Sequence, residues 1–150
     1  MIFWRISRHV ELTGTGGLKA SARWHHAGHP IVYLAENPAS ALLEVCVHTA
    51  ASDVPPQFTL LQIEGPDLAV PAIDLGSLSQ NWRAELQLTR QIGTDWLHSG
   101  QSVLLRVPSA IVPHTVNFLF NPLHPDAPKF RVVSVATYPF DLRIKHGHRA

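Results

Sequence analysis

Apolar and polar residues alternate around Arg5 in "IFWRIS", the period of a half-buried strand. A second strand is predicted in "PIVYLA", where β-branched and aromatic residues run between Gly28-His29-Pro30 and Glu36-Asn37-Pro38. Asn37 followed by Pro38 fits an N-cap and a first helical residue, so a helix is predicted from Pro38 to about His48. "FTLLQIEG" reads as a strand stopped at Gly65-Pro66, and "LAVPAIDLG" as a further extended piece. "NWRAELQLTRQIGTDWLHSG" starts as a helix and closes at Gly100, a C-cap position. Three more strands are predicted in "SVLLRVPS", "TVNFLFNPLHP" and "KFRVVSVATYPF". Between the first two strands, "ELTGTGGLKASARW" is a Gly-rich loop, and the basic tail "DLRIKHGHRA" is expected to fray. With no repeat and no linker, the order of elements predicts one mixed α/β domain over residues 1–150.

Composition narrows the class without naming a function. The chain has 150 residues, 45% of them hydrophobic and only 15% charged. That is enough apolar material for one core and too little charge for long disordered tails. A formal net charge of +1 is no electrostatic footprint for nucleic acid. No apolar run reaches the roughly 18 residues of a spanning helix, and the N-terminus turns polar too soon for a signal peptide. Cys46 is the one cysteine, so no internal disulfide forms. A soluble protein of the reducing cytoplasm is the simplest reading.

Several familiar chemistries fail on spacing. Gly14-Thr15-Gly16-Gly17-Leu18-Lys19 puts Lys where a dinucleotide fingerprint needs its last glycine. "GLKAS" breaks the Gly-Lys-Ser/Thr of a phosphate loop. His25, His26 and His29 have no metal spacing and no nearby acid or cysteine, so they read as solvated loop histidines; His146 and His148 are weaker still. No metal site is expected. Cys46 falls in the apolar helix and reads as a small buried hydrophobe. No Gly-x-Ser-x-Gly elbow supports serine hydrolysis.

The helix from Pro38 carries Ser40, Glu44 and His48 on one stripe, with apolar residues elsewhere. Such a stripe is either a narrow solvent face or the wall of a cleft in which a carboxylate steadies positive charge. Periodicity alone does not choose. Tyr33 alone reads as a core-covering aromatic, Arg23 as a solvated charge, Trp24 as a packing anchor and Ser109 as a turn residue.

Taken in order, "FWRIS", "GTGGLKASARW", "PIVYLAENPASALLEV" and "IGTDWLHSGQSVLLRVPSAIVPHTVNFLFNPLHPD" resemble the RES-domain family. These are toxins of bacterial toxin–antitoxin pairs, named for an Arg, a Glu and a Ser. The resemblance covers nearly the whole chain. It maps the three name residues to Arg23, Glu44 and Ser109, the family's aromatic position to Tyr33, and an Arg of the first strand to Arg5. The chain departs from the family where two glycines usually precede the Arg-Trp pair and an Asn follows it; here stand Ser21-Ala22 and His25.

The resemblance implies an α+β fold like that of ADP-ribosyltransferases, with a split mixed sheet around a cleft for NAD and flanking helices. It implies that NAD is the substrate and that the nicotinamide–ribose bond is cut, with water, phosphate or a protein side chain as acceptor. Glu44 and Arg23 are then the expected catalytic residues, and Arg5, Arg23, Tyr33 and Ser109 the expected NAD-binding residues. The implied partner is an Xre-type helix-turn-helix antitoxin that occludes the cleft and contacts DNA on the toxin's behalf; whether the toxin forms a homo-oligomer within that complex is left open by the sequence. The outcome is arrested growth. Transfer of ADP-ribose to a protein is the alternative on the same scaffold. A catalytically inert partner-binding module is a third reading.

Overall fold

In the computed structural model, which describes residues 1–144, six strands form one sheet. They are β1 (Ile2–Ile6), β2 (Val32–Ala35), β3 (Gln57–Glu64), β4 (Leu104–Pro108), β5 (Val116–Phe120) and β6 (Arg131–Pro139), in the order β4-β5-β2-β1-β3-β6. His146 and His148 lie outside the described residues. Every strand predicted from the pattern is present, within a few residues of its expected bounds.

Where a split, mixed sheet is expected, the structure has one antiparallel sheet with a splay at its centre. All five strand pairs are antiparallel. Parallel pairing is confined, among the described residues, to an isolated bridge between Ala72 and Arg106. The extended piece at 71–73 makes that bridge: Ile73 N–H donates to Arg106 O and Arg106 N–H to Pro71 O, each at 2.9 Å. It therefore covers the open edge of β4. The sheet is one hydrogen-bonded unit, yet β1 and β2 share a single paired position, Trp4 with Ala35. β1 and β3, by contrast, are paired over five positions. The strands splay at the centre, and the space this opens becomes the cleft.

The apolar residues divide by strand parity, because successive side chains point to opposite faces. One face carries Phe3, Val32, Leu34, Leu61, Ile63, Leu104, Phe118 and Phe120, closed by Phe130. The other carries Leu105, Val107 and Leu119 with Trp24, Ile31, Trp82 and Trp96. Burial on both faces explains the near-continuous apolar runs of β4 and β5.

Helix α1 (Gly16–Lys19) is one turn inside the Gly-rich segment, where the sequence pattern predicts loop. Helix α2 (Pro38–His48) begins as the dipeptide predicts: the Asn37 side chain accepts from Ser40 N–H at 2.8 Å, and Pro38 has no amide hydrogen to leave unpaired. Helix α3 (Leu86–Ser99) ends at Gly100, whose φ of 61° is left-handed and suits glycine.

Candidate active site

A cleft of about 620 Å³ opens where β1 leaves β2. Arg5, Arg23, Tyr33 and Glu44 all line it. Its floor is a cross-strand row set by register: Trp4 pairs with Ala35, Ala35 with Asn117, and Asn117 with Val107. The first three of these residues line the cleft. Its remaining walls include Ala41, Val45 and His48 of α2, together with Pro108, Ala110 and Ile111.

Arg23 is placed by α3. Thr89, Arg90, Gly93 and Thr94 form one stripe of that helix, and all four meet the segment 22–26. Thr89 Oγ1 donates to Arg23 O at 2.6 Å, Arg90 Nε to Ala22 O at 2.8 Å, and His26 N–H to Thr94 Oγ1 at 3.0 Å. Gly93 lets the backbones touch: a Cβ there would sit 1.7 Å from Trp24 O. Trp24 packs on Trp82 with ring centroids 5.8 Å apart. The Arg23 guanidinium is steadied at one end, Nη1 donating to Arg83 O at 2.6 Å.

Arg5 is half-buried in the cleft, with no hydrogen bond or ion pair to its guanidinium among the described residues. Burial pulls its pKa down, but a guanidinium keeps its charge in a protein. The cleft therefore holds a cation unpaired among the described residues.

Tyr33 is held at its hydroxyl. Its oxygen accepts from Trp24 N–H at 3.1 Å and lies 2.8 Å from His25 Nδ1. The Tyr33 hydroxyl thus donates to Nδ1, which leaves Nε2–H for Gly17 O at 3.3 Å. Burial pushes the Tyr33 phenol pKa up and the His25 imidazole pKa down, so both are neutral near pH 7. His25 corrects the reading of solvated loop histidines: it is 2% exposed and bonded at both ring nitrogens. The sequence signal for a buried imidazole is the same as for a wet one, because its partners arrive from Gly17 and Tyr33.

Glu44 faces the cleft, its side chain 33% exposed. Oε1 accepts from Asn117 Nδ2 at 2.9 Å, and Oε2 lies 3.7 Å from Nε2 of the exposed His48. The stripe is therefore a cleft wall along Glu44 and His48. The rest of α2 is less buried than its composition suggests: Ala41 and Cys46 are buried, while Val47 is half exposed. The helix packs against β1 and β2 alone among the larger contacts, and its outer turns stay open.

Ser109 is the expected site residue whose side chain the structure does not bring to the cleft. Its neighbours Pro108, Ala110 and Ile111 line the space. Ser109 itself is 4% exposed, and its Oγ accepts from Ile111 N–H and Val112 N–H at 3.1 and 3.2 Å. It shapes the turn that forms that wall. Asn117 is the reverse case, a polar cleft residue absent from the expected set. Its signal was a lone amide inside the apolar run "TVNFLF".

A profile of the RES domain matches residues 2–143, and the chain belongs to that family. It is 48% identical over 134 residues to "Toxin Res" of Pseudomonas putida, covering 88% of this chain and 92% of that protein. It is 35% identical to the "Prs ADP-ribosylating toxin" of a Sphingobium species, covering 95% of each. Among solved structures it is similar to the Mycobacterium tuberculosis MbcT–MbcA toxin–antitoxin complex. That match has a TM-score of 0.73 at 17% identity, over 96% of this chain and 86% of that one, which speaks for the fold alone. No helix among the described residues is long and apolar enough to cross a membrane.

Proposed function

We propose that this protein is the toxin of a toxin–antitoxin pair and cleaves NAD between nicotinamide and ribose. The observation that carries this reading is the shared cleft. Two guanidinium groups and one carboxylate, brought together from β1, the 22–26 segment and α2, line it beside Tyr33. NAD has the complementary charges, a dianionic pyrophosphate and a cationic nicotinamide–ribose end.

Arg5 and Arg23 bind the pyrophosphate, for which a planar fork of donors is well shaped. Tyr33, immobilised at its hydroxyl, offers its ring to the nicotinamide and keeps water from that face. When the C–N bond breaks, its electron pair leaves with nicotinamide as a neutral ring. Positive charge then develops on the ribose as an oxocarbenium-like centre. The Glu44 carboxylate stabilises that charge. Water or phosphate completes the reaction by bonding to the ribose carbon, as hydrolysis or phosphorolysis respectively. Ser109 acts through the turn it holds.

A second reading is favoured by one relative, named as an ADP-ribosylating toxin. On that reading a protein side chain replaces water as acceptor. Both readings share Glu44 and the first bond-breaking step. The partner on either reading is an Xre-type antitoxin seated over the cleft, and the compartment is the bacterial cytoplasm.

The test is induced expression without antitoxin, with intracellular NAD measured against time. The wild-type chain is expected to deplete NAD and stop growth, and Glu44→Gln to do neither at equal protein level. Growth arrest with an unchanged NAD pool would overturn the glycohydrolase and phosphorylase reading. Label from NAD appearing on a protein would establish the second reading.

A further inference from the structure

Asn117 donates to Glu44 across 73 residues of chain, from β5 to α2. The direction of its amide follows from chemistry: the flipped amide would set a carbonyl oxygen against a carboxylate oxygen. The arrangement has a cost. Asn117 Oδ1 is the buried side-chain polar atom left without a hydrogen-bond partner among the described residues. An unpaired buried acceptor destabilises a fold and calls for an explanation. Packing does not supply one: Ala35 and Val107 in the same cross-strand row have no polar side-chain atom, and no hydrogen bond joins the oxygen to the Trp4 indole among the described residues. An apolar residue would complete that row without the orphaned oxygen.

We propose that Asn117 is a positioning residue for Glu44. Its Nδ2 holds Oε1 and fixes the carboxylate rotamer, and Oε2, 3.7 Å from Nε2 of the exposed His48, meets the ribose. β5 is anchored by five paired positions to β4 and four to β2, so the donor sits on a rigid support. α2, with its open outer face, receives from it the contact that sets where the carboxylate points. The inference rests on the reading of Glu44 as the carboxylate of an NAD-cleaving site.

Steady-state NAD consumption by the purified full chain tests it, with Asn117→Val and Asn117→Asp compared against pH. Asn117→Val is expected to lower kcat at least about tenfold with KM within about threefold, since a misplaced carboxylate weakens the transition state more than ground-state binding. Asn117→Asp sets two carboxylates face to face. They repel near neutral pH, with His48 of α2 and the guanidinium groups of Arg5 and Arg23 as the other charged or titratable groups lining the cleft, and on acidification one carboxylate takes a proton and donates to the other. Its activity is therefore expected to be low at neutral pH and to rise toward acid, displacing the optimum downward from wild type. A residue that merely supports the fold would leave kcat per folded molecule of Asn117→Val unchanged.

Wild-type rates and pH optimum in both variants would overturn the role of Asn117 and leave NAD cleavage standing. An increase in KM with kcat intact in Asn117→Val would overturn it as well. If Asn117→Asp does not fold, the kcat and KM of Asn117→Val decide alone. A wild-type chain that leaves NAD intact would overturn the NAD reading, and this role with it.

Discussion

The two sides of the sheet obey different rules. In β4, β5 and β2 most residues are covered on both faces, whereas β6 is largely exposed and displays Val133, Val135 and Tyr138 to solvent. A polar residue on β6 asks for no explanation: Thr137 meets Thr59 across the strands at 3.2 Å and is otherwise wet. On the covered side each polar group needs a partner. Tyr33 has Trp24 and His25, Ser109 has the amides of its turn, and Asn117 has Glu44 for its Nδ2, its Oδ1 being the exception among the described residues. All three lie in or beside one cleft. Much of the covered polarity on that side lies where chemistry is proposed, while the buried Asn121, bonded to Leu97 and Leu123, lies outside the cleft.

Substitutions can break that contrast, beginning with the largest. Gly93→Val drives a side chain into the Trp24 carbonyl. It is expected to cost about 3 kcal/mol by the usual scale of overpacking, read as a fall in Tm, and to displace Arg23 with loss of NAD binding. Arg5→Leu removes a half-buried charge that has no partner among the described residues. It is expected to hold or raise stability, by up to about 1 kcal/mol, while KM for NAD rises about tenfold or more. A fall in stability would show that Arg5 supports the fold.

His25→Asn probes the network behind Tyr33. Burial holds the folded His25 pKa below that of the unfolded chain. Between the two values the unfolded state binds more protons, so stability falls as pH drops below about 6.5. Tm measured between pH 7 and 5 should fall less in His25→Asn than in wild type; parallel slopes would contradict a buried neutral imidazole. Smallest of all, Val135→Lys on β6 should change stability by no more than about 0.5 kcal/mol and leave NAD consumption unaltered.

The local chemistry of the chain was easily read. Alternation in β1 and short apolar, β-branched runs between turn residues marked the six strands, and Asn37-Pro38 and Gly100 placed the start of α2 and the end of α3, because each signal lies within a few residues of the element it controls. The contacts that arm the cleft were not legible in that way. Glu44 and Asn117 are 73 positions apart, and the 22–26 segment is held by α3 from 66 or more positions away. No periodicity records such pairings. The stripe of Glu44 and His48 fits a solvent face as well as a cleft wall, with the solvent face favoured by periodicity, until β5 and the splay of β1 from β2 are in place. His25 looked wet for the same reason, and Ser109 stood for a ligand contact where its hydroxyl oxygen caps a turn.

The central claim is that this cleft breaks the nicotinamide–ribose bond. Nicotinamide released from NAD by the purified, antitoxin-free chain measures that event directly, whichever acceptor follows. Wild-type protein is expected to release nicotinamide over successive turnovers, or in step with labelling of a protein acceptor where one is supplied. Glu44→Gln, folded to the same Tm, should be at least about 100-fold slower. Intact NAD after prolonged incubation with the wild-type chain and a protein acceptor, or equal release by Glu44→Gln, would contradict the account.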